Sequence, residues 1–205
     1  MPNTLNDNMS VGLKMVAEVR KDIPKSMNYA STSSPTTVGG SVYHSGTYDD
    51  TQAFSSMHDD VIEKLKNANY NAFMKTDKNR TLVREVHDII SGNDTGNCLE
   101  LAFYTAHKLK KKGKRVDVVR VKTVNNGDPT DTSVIPHWFA VLGRSHGGND
   151  NKSIIGLPNT WGPQAVIVDS WDTSVYPGGK YNLFWDGLKA AAYNKPITCE
   201  LWCRI

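Results

Sequence analysis

Apolar residues recur at two different spacings along the chain, and the change of spacing divides it. Val61, Leu65 and Ala68 stand at helical intervals with charged residues between them, and Leu82, Val86, Ile89 and Ile90 repeat the pattern. Apolar positions at this period share one face of an α-helix, so two amphipathic helices are predicted, joined by a polar connector at 75–80. The run 91–97, Ser-Gly-Asn-Asp-Thr-Gly-Asn, concentrates turn and cap formers and predicts the end of the second helix. Residues 98–109 follow at once and are apolar around most of the helical circumference, which predicts a helix in the middle of a domain. Lys110, Lys111 and Lys112 suit its negative C-terminal end, and Gly113 suits the position just past it.

Beyond residue 115 the period shortens. Residues 116–124, 138–142, 165–168 and 199–205 are short runs rich in β-branched and aromatic residues, separated by Gly, Pro and Asn clusters, and they predict strands. Residues 183–193 predict one more short helix before Pro196. Helices first and strands afterwards point to an α+β class, with an antiparallel sheet packed on the buried helix. The first 60 residues are different. After a short amphipathic stretch at 11–19, residues 26–56 are crowded with Ser, Thr, Gly, Tyr and Asn, too little apolar surface to offset the entropy of ordering. The expected organisation is a polar, flexible arm over 1–57 and a folded domain over 58–205.

Composition narrows the function classes. With 205 residues, 39% of them hydrophobic, the chain is long enough for a sizeable core, and a net charge of +3 is too small to draw it to nucleic acid or membrane by bulk attraction. No apolar run approaches the roughly 18–20 residues of a membrane span. Residues 1–20 lack the basic and apolar regions of a Sec leader, so a soluble protein without one is expected. Three cysteines, an odd number, argue against a disulfide scaffold and for at least one free thiol. No P-loop, dinucleotide fingerprint or His-Glu-x-x-His motif occurs, which sets aside nucleotide-dependent and zinc-hydrolase chemistry.

Three segments carry residues suited to acyl chemistry. Cys98 stands at the first turn of the predicted buried helix, where the helix dipole and unpaired N–H groups stabilise a thiolate and could donate to an oxyanion. A buried structural thiol is the commoner use of cysteine, and the placement is what favours a nucleophile. His137 opens the apolar run His-Trp-Phe-Ala-Val-Leu, from which an imidazole can reach the helix start and act as base. Of the other five histidines, His107 is too far along the Cys98 helix, and His44, His58, His87 and His146 open no strand. Asp169 ends the run Val-Ile-Val-Asp and is placed to bond the far imidazole nitrogen. Asp172 and Asp150 are weaker candidates for that role.

The three segments, Gly96-Asn97-Cys98-Leu99-Glu100, His137 to Gly143 and Val168-Asp169-Ser170-Trp171, resemble in order and setting the Cys, His, Asp arrangement of papain-like and transglutaminase-like cysteine hydrolases. The pattern is most similar to bacterial toxin and effector members that deamidate glutamine or cleave proteins, including the deamidase domain of the Pasteurella toxin. The resemblance implies a central helix bearing the nucleophile, an antiparallel sheet bearing base and acid, and thiol chemistry on a protein amide with neither metal nor organic cofactor. It implies a glutamine deamidase first, a cysteine protease of the same fold second, a host protein as substrate, and secretion from a bacterium without a Sec leader; a cytoplasmic protein is the alternative location. A catalytically inactive protein-binding module on the same fold is the rival. In papain-like members an upstream side-chain amide helps the oxyanion hole, and Asn93 and Asn97 are the candidates here. A polar insertion, 144–164, departs from the pattern.

Other signals have simpler readings. The basic run at 108–115 could attract phosphate, but charge complementing a helix end accounts for it, and no interleaved aromatic platform supports nucleic-acid binding. Cys199 and Cys203 would share a face of a regular strand at roughly 13 Å, beyond disulfide reach, and are expected to be core thiols. Trp138 and Trp171 flank the proposed site in sequence and are candidates for a substrate groove, although core packing is the commoner use of tryptophan.

Overall fold

A computed structural model of the chain describes residues 4–26, 37–38, 41–42, 48–69, 76–123, 137–148, 153–180 and 197–205. The first elements are α1 (Leu5–Asp22), β1 (Lys25–Ser26), β2 (Thr37–Val38), β3 (Ser41–Val42), α2 (Tyr48–Asn69), α3 (Thr76–Ile90), β4 (Thr95–Gly96) and α4 (Cys98–Lys111). The strands β5 (Val116–Thr123), β6 (His137–Leu142), β7 (Val166–Asp169), β8 (Ser174–Pro177) and β9 (Ile197–Arg204) follow. These five form one antiparallel sheet in the order β8-β7-β6-β5-β9. The two-residue β1 runs parallel to β4, and β2 pairs with β3. The class is α+β, helices on an antiparallel sheet.

The helix α4 is the centre of the molecule because its sequence leaves no polar face in its middle. Leu101, Phe103, Ala106 and Leu109 are fully buried, and they share one hydrophobic cluster with Ala140 and Leu142 of β6, Val166 and Val168 of β7, and Val83, Val86 and Ile90 of α3. The helix stops as its sequence suggests. Gly113 takes φ +75°, its N–H bonds Lys110 O at 2.8 Å, and the N–H of Lys114 bonds Leu109 O at 3.2 Å, the paired bonds of a Schellman motif.

Several expectations are corrected. Residues 76–80 of the expected connector are helical, since α3 begins at Thr76, and Asn79 is buried with Nδ2 donating to Arg204 O on β9 at 3.0 Å. The arm expected over 1–57 is helical at 5–22 and again from Tyr48. Met15, Val16 and Val19 of α1 enter the same cluster as α4, and Gly12 approaches β7 and β8 so closely that a Cβ there would meet Val175 Cγ1 at 2.9 Å and Val168 Cγ2 at 3.1 Å. An 18-residue helix with one apolar stripe buries enough surface to order itself on a sheet, which the composition of the following segment obscured. The described part of the insertion 144–164 is not a purely polar surface loop. Trp161 and Ile155 are buried beneath the other sheet face, and Trp161 Nε1 donates to Ile155 O at 2.9 Å. Strand β8 had no counterpart in the sequence reading. The helix expected at 183–193 lies outside the described residues.

On β9, Cys199 and Cys203 do not share a face. The register with β5 shifts between Val118, which pairs with Cys203, and Val119, which pairs with Leu201. The extra residue reverses the alternation. Cys203 therefore joins the α4 cluster and Cys199 the opposite one, both buried and both free.

Candidate active site

Cys98 is the first residue of α4, and the turn before it is fixed by a reciprocal cap. The Asn97 side chain accepts from the backbone N–H groups of Leu99, at 2.9 Å, and Glu100, while Glu100 Oε2 accepts from Asn97 N at 3.0 Å. Pairing of β4 with β1 holds the two preceding residues. The thiol is half-buried, unlike Cys199 and Cys203. Burial pushes those two thiols strongly upward, so they stay protonated.

His137 opens β6 and Asp169 closes the neighbouring β7. Ala140 pairs with Val168, which sets Asp169 diagonally from His137 on the same sheet face. Their side chains meet, His137 Nε2 bonding Asp169 Oδ2 at 2.5 Å. Asp169 is completely buried and its other oxygen accepts from the N–H groups of Trp171 and Asp172, each at 3.1 Å, so the turn after β7 locks the carboxylate. Burial pushes His137 down, but the charge of Asp169 and hydrogen bonds to Asp169 and Cys98 outweigh it and hold the imidazole well above its ordinary value. With Nε2 on the carboxylate, Nδ1 is the nitrogen left to face the sulfur. The structure thus brings together Cys98, His137 and Asp169.

Comparison with protein-family models, curated proteins and solved structures finds no match to this chain.

The remaining candidates divide. Trp171 is half-buried with its ring edge on His137, centroids 5.4 Å apart, and belongs to the site. Trp138 does not. Alternation along β6 turns it to the opposite face, where it packs against Phe103 and Trp202 with Arg120 over its ring. Asn93 is also displaced, since its Nδ2 donates to the carbonyls of Ile89 and Ile90 and caps α3. Asn97 adjoins the thiol, but its side-chain oxygen is the cap of α4. Asp172 accepts from Ser174 Oγ at 2.7 Å and contributes to the site through its N–H to Asp169; burial, above all, raises its own carboxyl. Asp150 lies outside the described residues. Among the described residues, no group of three or more His, Cys, Asp or Glu side chains could hold a metal ion.

Two contributors went unread in the sequence. Glu100 is fully buried, and its Oε1 meets His58 Nδ1 of α2 at 2.7 Å while Oε2 holds Asn97 N. The hydrogen bond to Glu100 raises His58 above its ordinary value, against the effect of its burial. The spacing Asn-x-x-Glu is a helix-start signature and could have revealed Glu100; nothing local marks His58, which arrives from α2.

Proposed function

We propose that the chain is a cysteine-dependent amidohydrolase acting on a protein, and that its reaction is the deamidation of a glutamine side chain. The observation that carries the reading is the imidazole of His137, bonded to Asp169 on one side and to Cys98 at the start of a helix on the other. In the proposed sequence Cys98 Sγ passes its proton to His137 and attacks the amide carbon. The oxyanion is held at the helix start. The cap engages the N–H groups of Leu99 and Glu100, and the N–H of Cys98 at the first turn is the donor assigned to the oxyanion. As the tetrahedral adduct collapses, the C–N bond breaks and His137 protonates the departing ammonia. Water then attacks the thioester, gives a proton to His137 and releases glutamate and the thiol. Asp169 keeps the ring aligned throughout, and the exposed part of Trp171 supplies an apolar wall for the substrate.

Deamidation is preferred over peptide cleavage on the resemblance to bacterial toxin deamidases, and the same resemblance makes a host protein the proposed substrate. Among the described residues no helix is long and apolar enough to cross a membrane. The test is mass spectrometry of host-cell lysate treated with the chain or with Cys98→Ala. Glutamine-to-glutamate mass changes that require Cys98 are expected. New peptide termini that require it would make the enzyme a protease, and identical digests would leave the binding module.

A further inference from the structure

Arg80 and Arg84 stand one turn apart on α3, and across from them α4 carries His107, Lys110 and Lys111 near its far end from Cys98. These five side chains line a cavity of about 230 Å³ between the two helices, closed on its apolar side by Val83 and Ile205. Among the described residues, no Asp or Glu lines it. Of the neighbouring acids, Asp77 pairs with Arg80 itself at 3.3 Å on the exposed side and offsets part of that one charge, and Asp88 bonds His87 at 3.1 Å.

Like charges gathered across a helix pair repel one another. Lys110 is pushed below its ordinary value by burial and by Arg80, and His107 falls to about 4 through burial first and then through His87, Lys111 and Arg84, against a smaller upward pull from Asp88. The negative end of α4 explains its lysines, but it does not explain the two arginines of α3 that face the same cavity. His107 adds an independent sign. It is nine-tenths buried, stacked on His87 at 4.0 Å, and its Nε2 has no hydrogen-bond partner.

We propose that this cavity binds a compact polyanion carrying two or three phosphate groups. Guanidinium forks take phosphate oxygens in pairs, lysines add point charges, and His107 supplies a ring N–H. The volume lies below the roughly 300–1,000 Å³ of pockets for drug-sized ligands, which suits phosphate groups better than a peptide.

Titration calorimetry of the full chain with inorganic triphosphate is the test. Saturable binding is expected, weakening with salt and weakening roughly tenfold or more in the double variant Arg84→Ala, Lys111→Ala, whose side chains are both exposed. Thermal melting of the variant confirms that it folds, and Cys98→Ala should bind like the parent, separating this site from the proposed hydrolase chemistry. The His107 imidazole should titrate at higher pH when triphosphate is bound. Phosphatidylcholine vesicles with and without phosphoinositide identify the source: phosphoinositide-dependent binding displaced by triphosphate marks a lipid headgroup, and binding of triphosphate alone marks a soluble ligand. Heat no different from that of sulfate at equal ionic strength, or a folded double variant of unchanged affinity, would overturn the proposal.

Discussion

Two buried histidines mark α4, His137 beside its first residue and His107 within its second half, and the surroundings drive the two imidazoles in opposite directions. Burial acts downward on both. His107 has no carboxylate of its own, and burial with the nearby His87, Lys111 and Arg84 takes it to about 4. His137 is at least as deeply buried, yet Asp169 and Cys98 hold it well above its ordinary value. His58, bonded to Glu100, moves upward too. Depth therefore does not decide the direction in which these histidines shift; a buried acid within bonding distance does, as Asp169 and Glu100 do near Cys98.

The sharpest way to break the contrast is Asp169→Asn, which keeps the shape and removes the charge. Burial would then act on His137 unopposed by the carboxylate, and its titration, followed by NMR, should fall toward the behaviour of His107. Hydrolysis should drop about 100-fold or more, as for loss of an oriented general base. Iodoacetamide reports the same change at the sulfur. In the native parent it should label the half-buried Cys98 and leave Cys199 and Cys203 until the chain unfolds, and in Asp169→Asn the labelling of Cys98 should slow. Unchanged labelling of Cys98 would mean that the imidazole and its acid do not act on the thiol.

The second pair predicts a stability effect. Glu100→Ala leaves the Asn97 N–H and the His58 ring without their acceptor and should cost about 3 kcal/mol in denaturant unfolding at neutral pH. Because His58 is raised in the folded state, its share is fully present below pH 6.5 and is lost as pH climbs through the folded value. The cost of Glu100→Ala should therefore shrink on the alkaline side. A constant cost across that range would confine the role of Glu100 to its cap on Asn97.

How much of this could be read beforehand follows from the range of each signal. Spacing along one segment revealed α3, α4 and the main strands, and a residue type at an element boundary pointed to Cys98, His137 and Asp169. Those three meet because β6 and β7 are neighbours in register, a fact no single segment carries. What escaped depended on partners distant in the chain. His58 finds Glu100 only once α2 packs, and Trp161 in a polar stretch is buried only because the insertion folds under the sheet. The bulge beside Trp202 separates Cys199 from Cys203, and their spacing gave no hint of it. Asn93 and Asn97 looked equivalent by composition, and hydrogen bonding divides them between two helix ends.

The smallest effect tests the other side of the comparison. A histidine whose folded value is depressed must take up a proton on unfolding in acid, so His107 contributes nothing adverse above pH 6.5 and destabilises the fold progressively as pH falls from there toward about 4. Carboxylates held low by partners, such as Asp22 with Lys108 and Tyr104, also lose stabilisation in acid, and parent and variant share that loss. Their contribution cancels when His107→Gln is compared with the parent over the same range. Glutamine fills much of the same space and does not titrate. The variant should begin less stable at pH 7, having lost the stacking on His87, and the gap should close by about 2 kcal/mol as the pH approaches 4. Parallel unfolding curves would mean that His107 keeps an ordinary titration despite its burial, and the contrast with His137 would then owe nothing to the cations of α3 and α4.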